Sequence, residues 1–493
     1  MRTIYFLVLL LSPFWAIGQK GSNLGNTTSQ EGTGHEYSMT ANGKSVEIKS
    51  FSHYCYASFD LANAAELTIK CTKPIETCEI SPLSRTIKYQ VKANQITFRL
   101  EKPGYFVVRI NETEKLFVFA ETPEVVPPKS VNILGYGVDN NGQKNQTELI
   151  QKAIDEAASK GKTLYFPKGI YTAGQICLRQ NSQIHLSRGA VLQADTGSVE
   201  QYSSNDQVKT RRFIYIKNAN NVKITGYGTI NGNGEKLREK FGDEARMRLV
   251  MAINCKNLSI EEVTLMDPGS WNTQLLLCQD VVIRHVKLLN NTSLSNTDGF
   301  DPDASKKLLI EACFACCGDD NVAIKTTNYG DYLANAEDIT IRGCVFLTKK
   351  SSLKVGTETR AESMRNILFE DNDVIESDRG MALYISDGTT FENIRFVNNR
   401  FERNFPDAKR AGFYFEINRR NPDSKAGKMN NILIKDCVFR SSFPRSSFIR
   451  GLDASHVIEN VTIDNLIIDH KKVNNMKEAG IEINDFVSNL VLK

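Results

Sequence analysis

The sequence predicts an all-β chain, a parallel β-helix preceded by a small β-sandwich. Three observations lead there: a strand-like motif that recurs along the chain, a second ladder of short runs about half a coil away, and connections too short for crossover helices. Asn221-Val-Lys-Ile, Asn257-Leu-Ser-Ile, Asp280-Val-Val-Ile, Lys307-Leu-Leu-Ile, Asp338-Ile-Thr-Ile, Asn366-Ile-Leu-Phe and Asn393-Ile-Arg-Phe form the series, which continues to Asn489-Leu-Val-Leu with an irregular period mostly in the twenties. One strand in register per repeat indicates a solenoid.

Within each repeat the apolar residues alternate. Leu258, Val281, Leu308 and Ile339 form one column, and Ile260, Ile283, Ile310 and Ile341 form the next. Period-two alternation of β-branched residues marks strands facing one interior. The following inward column, Cys313, Cys344, Asn372, Asn399 and Cys437, changes parity, which predicts a corner between two sheets. Stacked there, cysteines serve as small core residues and asparagines bond one another. The second ladder has rungs at 271–278, 296–303, 319–326, 351–359, 380–387, 412–418 and 480–484. Two or three strands per turn then stack in parallel, and one sheet presents a long groove.

The open N-terminal end of such a column needs a cover. Leu149, Ile150, Ala153, Ile154 and Ala157 recur at helical spacing in 145–159, with Asn145 or Thr147 as N-cap. Pro127-Pro128 marks a stiff linker before it. Upstream, short alternating runs at 45–49, 66–71, 86–91, 95–100, 105–110 and 115–120 predict a small antiparallel sandwich, either a sugar-binding module or a packing buttress. Residues 1–18, with Arg2 before the apolar stretch 4–11 and small residues at Ala16 and Gly18, read as a secretory signal peptide. The expected divisions are therefore 1–18, 19–125 for the sandwich and 126–493 for a catalytic β-helix, exported to the periplasm or the medium.

Composition bounds the function. The 493 residues are 41% hydrophobic and 24% charged, as in globular proteins. With 61 basic and 57 acidic side chains, the net charge of +4 argues against nucleic acid as the main partner. After signal cleavage no membrane association is expected, and the chain is read as a monomer. Among the 11 cysteines no metal or redox spacing occurs, although one pair of Cys55, Cys71 and Cys78 is a candidate bridge. No cofactor and no metal is called for.

The chemistry concentrates on two adjacent rungs, Asn296-Thr297-Asp298-Gly299-Phe300-Asp301 and Gly318-Asp319-Asp320. Asp319 follows Asp298 by 21 residues, close to one coil, so three carboxylates are expected to converge in one groove. Crowded like charges raise one pKa, which suits a general acid, while an ionised neighbour activates water. Asp301-Pro302-Asp303 reads as a turn.

These motifs, with stretches at 131–137, 164–171 and 226–234, resemble glycoside hydrolase family 28, the polygalacturonase family, over about residues 131–493. The resemblance implies a right-handed parallel β-helix and an inverting hydrolysis of a polysaccharide or oligosaccharide, pectin-related by default. Asp319 would be the general acid, and Asp298 and Asp320 would hold and deprotonate water. Two family motifs are replaced: Gly-His-Gly by Lys350-Ser351-Ser352, and Arg-Ile-Lys within the stretch from Met381 to Asp387. Asn296, Lys325, Lys354, Glu358 and Asp387 are the candidate substrate contacts. Lys325 and Lys354 either replace the missing cations or balance the acids. Glu358, Asp387 and Glu416 favour neutral sugars, whereas Arg419-Arg420 pull the other way. A neutral-glucan hydrolase of the dextranase type and a non-catalytic polysaccharide-binding β-helix are the alternatives. A lyase lacks its calcium-binding acids and Arg base here.

Overall fold

A computed structural model describes residues 37–493 apart from 113, 204–205, 406–407 and 409–411. The expected signal peptide lies outside the described residues. From Ser130 onward the chain winds into a parallel β-helix of three sheets, with 13, 13 and 11 strands. Three strands per coil is thus the rule.

The first sheet carries the recurring motif. Leu258, Val281, Leu308 and Ile339 lie in register on successive coils, and all are buried. The motif's leading residue has a local cause. Asn257, Asp280, Asn366 and Asn393 all adopt left-handed backbone, with φ of 56°, 55°, 55° and 56°. Apart from glycine, Asn and Asp bear this conformation best. Their amides stack on the surface: Asn257 donates to Asn221 at 2.7 Å, Asn366 to Asp338 at 2.9 Å and Asn393 to Asn366 at 2.8 Å.

The parity change has the same origin. Ala312, Gly343, Asp371, Asn398 and Asp436 are left-handed, and each immediately precedes a member of the Cys and Asn column. One such residue turns the chain between sheets and reverses which side faces in. In the interior, Asn372 Nδ2 donates to Asn399 Oδ1 at 2.9 Å and to Ile341 O at 3.0 Å, and Cys344 N donates to Asn372 Oδ1 at 3.0 Å. The third sheet holds the second ladder and has four strands unseen in sequence: Ile176–Leu178, Arg211–Lys217 and Met247–Ile253 before it, and Ser447–Arg450 within it.

The helix Thr147–Ser159 covers the N-terminal end through Ile150, Ala153, Ile154 and Ala157. Two details differ from expectation. Gln146 is the N-cap residue, with Asn145 Oδ1 accepting from Thr147 N at 3.1 Å, and Leu149 is 42% exposed because it falls on the outer face. Among the described residues no helix is long and apolar enough to cross a membrane.

Residues 37–121 form two five-stranded sheets around their own core. The first is antiparallel. The second is mixed, because Glu114–Glu121 pairs in parallel with Tyr54–Asp60, a strand absent from the sequence reading. Thr86, at φ 48°, delays the run expected at 86–91, so its strand begins at Tyr89. All eleven cysteines are free, and the candidate bridge does not form: Cys71 belongs to the first sheet, and Cys55 and Cys78 lie on strands of the second sheet that are separated by two others.

The outer face of the second sheet packs on the β-helix. Tyr54, Tyr105, Phe117 and Phe119 meet Met266, Leu289, Phe314 and Val345 in one apolar cluster. Arg109 and Lys115 clasp Glu376 at 2.8 and 3.0 Å, while Glu121 pairs with Lys287 and Arg188. This interface has the character of a buttress.

The two asparagine ladders differ in their consequences. Asn372→Leu strands several buried partners and should cost about 2–3 kcal/mol. Asn366→Ala, on the solvent side, should cost less than about 1 kcal/mol. Urea midpoints of the two variants test the contrast.

Candidate active site

The acidic residues sit at the entry to successive strands of the third sheet, Phe300–Asp303 and Val322–Thr326. Two glycines permit this approach. A Cβ on Gly299 would lie 2.4 Å from Asn321 O, and one on Gly318 would lie 2.5 Å from Thr297 Oγ1. The register corrects one expectation. Phe300 pairs with Val322, an offset of 22 residues, so Asp320, not Asp319, stands over Asp298, and Asp319 lies in the preceding turn. The carboxyls still converge: one oxygen each from Asp298, Asp319 and Asp320 lies within 4.8 Å of the others.

Two lysines are built into this cluster. Lys354 Nζ lies 2.6 Å from Asp320 Oδ2, whose other oxygen accepts from Ser351 N at 2.9 Å. Lys325 Nζ lies 3.0 Å from Asp298 Oδ2 and 2.8 Å from Asp301 Oδ1, and also sits 3.3 Å above the Trp271 ring. Of their two roles, balancing the acids is the one the contacts show. Asp319 is the least supported anion, with Oδ1 accepting from Asp320 N at 3.0 Å.

The charge states separate accordingly. Burial first, then the Asp320 and Asp298 carboxylates, push Asp319 up to about 7. Burial also opposes ionisation of Asp320, but Lys354 and Arg379 outweigh it and hold that carboxyl at about 2. Asp298 is raised by burial, against the pull of Lys325. Its Oδ1 is buried and has no hydrogen-bond partner among the described residues.

The remaining predicted contacts divide. Asn296 borders the cluster, its Oδ1 accepting from Arg246 at 2.9 Å. Glu358 approaches Lys325 at 4.0 Å and Arg420 at 3.4 Å. Asp387 is only 1% exposed at its side chain and pairs with Arg420 at 2.9 Å and Arg360 at 3.2 Å. Asp301 and Asp303, read as a turn, are buried in a strand; Asp303 accepts from Thr327 N at 2.7 Å.

Sequence reasoning missed Trp271, Arg379 and Tyr384. Arg379 stands in register with Ser351 one coil on and reaches the Tyr384 hydroxyl at 3.4 Å. Their signal was only positional: Trp271 and Tyr384 lie on rungs already identified, and Arg379 immediately precedes one. Two connecting segments frame the site. Arg238 and Arg246 reach Ser295 and Asn296, and Arg420 reaches Thr357 O at 3.0 Å.

Comparisons with known proteins bear on the family and the fold. The sequence profile of Glycosyl hydrolases family 28 matches residues 158–441. A probable polygalacturonase of Vitis vinifera is 26% identical over 277 residues, 52% of this chain and 56% of the grape protein. This chain therefore spans little more than half of that relative's length. In fold it is similar to the family 28 exopolygalacturonase of Yersinia enterocolitica, with TM-score 0.57 and 16% identity over 90% of this chain and 98% of that one. The exopolygalacturonase of Thermotoga maritima gives 0.56 and 21% over 71% and 94%. With the profile matching more than half of the chain, including every coil that bears these carboxyls, the chain belongs to glycosyl hydrolases family 28.

Proposed function

We propose that the protein is a secreted, pectin-directed glycoside hydrolase in which Asp319 protonates the leaving oxygen while Asp320 and Asp298 hold and deprotonate the attacking water. The observation that carries this reading is the unequal support of adjacent carboxyls. Asp320 receives an ammonium and a backbone N–H, whereas Asp319 receives one N–H and faces two anions. One group thus keeps its proton near neutrality and the other has lost it, as acid–base hydrolysis requires. Family membership and polygalacturonase relatives support the substrate class. The expected signal peptide at 1–18, read from Arg2 and the apolar stretch 4–11, supports export.

Inversion rests on the family resemblance. One oxygen from each of the three carboxyls lies within 4.8 Å of the others, inside the roughly 6.5–9.5 Å usual between whole inverting carboxyl groups. Proton NMR of the first product therefore decides: inversion of the anomeric proton supports the mechanism, and retention assigns one carboxyl as nucleophile instead.

Asp319→Asn should lower kcat on pectic oligosaccharides by about 10²–10⁴-fold and leave KM nearly unchanged. Release of reducing ends, without the ultraviolet absorbance of an unsaturated product, is the readout. Undiminished activity would remove Asp319 from the mechanism.

The pH profile follows from the same contacts. Activity should fall about tenfold per unit above the Asp319 value of about 7, where the acid loses its proton. Lys354 favours the anions of both Asp319 and Asp320. Lys354→Met should therefore move both limbs to higher pH, the acidic limb by about 1–3 units. A higher KM with limbs unmoved would make Lys354 a substrate contact instead.

A further inference from the structure

Beyond the acids, the third sheet changes character coil by coil. Register aligns Ala323, Lys354, Ala382, Tyr414 and Phe448 along the helix axis, with Tyr384 beside Ala382. Tyr384 and Tyr414 have ring centroids 5.0 Å apart, and Tyr414 and Phe448 are 3.8 Å apart. Tyr414, the middle ring, is partly exposed, whereas Tyr384 and Phe448 are buried, so Tyr414 presents the edge of the row two coils past Lys354. Coils repeat at about 4.8 Å, close to the length of one hexose ring, so successive sugars can meet successive rungs.

Five cations near this row are paired with protein carboxylates, among them Arg379, which lies 3.5 Å from Asp378 and reaches the Tyr384 hydroxyl. Lys354 is on Asp320, Lys325 on Asp298 and Asp301, Arg420 on Asp387, and Arg450 pairs with Glu482 while covering the Phe448 ring. A sugar carboxylate laid over these rungs would meet cations whose charge protein carboxylates have neutralised, and would lose its own hydration. An uncharged ring loses little and gains apolar contact with the aromatic edge.

We infer that the subsites running from Tyr384 through Tyr414 to Phe448 bind uncharged sugar residues, such as methyl-esterified uronosyl units, in preference to free uronates. This rests on the hydrolase reading for the location of the scissile bond, but its test does not need turnover.

Binding to the full chain carrying Asp319→Asn is measured by calorimetry with one galacturonan oligomer, either methyl-esterified or de-esterified, and with a neutral galactan oligomer. The esterified form should bind at least tenfold tighter than the acid form, with little dependence on salt. Tyr414→Ala should remove about tenfold of that affinity and leave the weak binding of the acid form unchanged. Tyr414→Phe should retain it, which separates loss of the ring from loss of fold. Tighter binding of the acid form, or no binding of any oligomer, would overturn the inference. Binding as expected with no turnover by the unmodified protein would leave it standing and remove the hydrolase reading.

Discussion

Parallel stacking of coils in strict register is the constraint on which the rest of the structure depends. It places residues about 22 positions apart at the same height, so that two otherwise unrelated strand entries deliver their carboxyls to one point. Left-handed residues enforce it. Each coil turns at positions occupied mostly by Asn, Asp or Gly and, less comfortably, by Ala, Lys, Glu262, Leu277 or His285, and the same turns set which side chains face inward. The buried amide ladder from Cys344 through Asn372 to Asn399 then ties neighbouring coils at a fixed offset. A slip of one residue would expose this column and break its bonds together.

The site exploits that rigidity electrostatically. Burying several acids together is costly unless the charge is answered within the same volume. Lys325 and Lys354 answer it from the rungs of Asp319-Asp320 and the next coil, and they do so unevenly, which separates the protonation of two adjacent aspartates. The same pairing withdraws these lysines from the groove. The arginines of the framing loops are held in the same way, Arg246 by Asn296 and Arg420 by Asp387.

The N-terminal unit contributes at a distance. Its aromatic face covers apolar residues on the outside of the second sheet, which would otherwise meet water, and Glu121 and Glu376 neutralise cations at the joint. This support lies on the second sheet, whereas the acids open onto the third. The groove is thus left uncovered by the buttress.

Much of this was legible in the chain itself. Alternation of apolar residues is a local pattern, so the columns of the first sheet, the Cys and Asn corner and the rungs bearing Asp298, Asp319 and Asp320 could be read from the residues alone. Tertiary structure decided what depends on contacts between distant segments. It set the one-residue shift that puts Asp320 over Asp298, and it assigned Lys354 to Asp320. It also withdrew Asp387 into a pair with Arg420. Alternation reports which side of a strand a residue occupies, but register and ion pairing arise only when coils of unequal length close on one another.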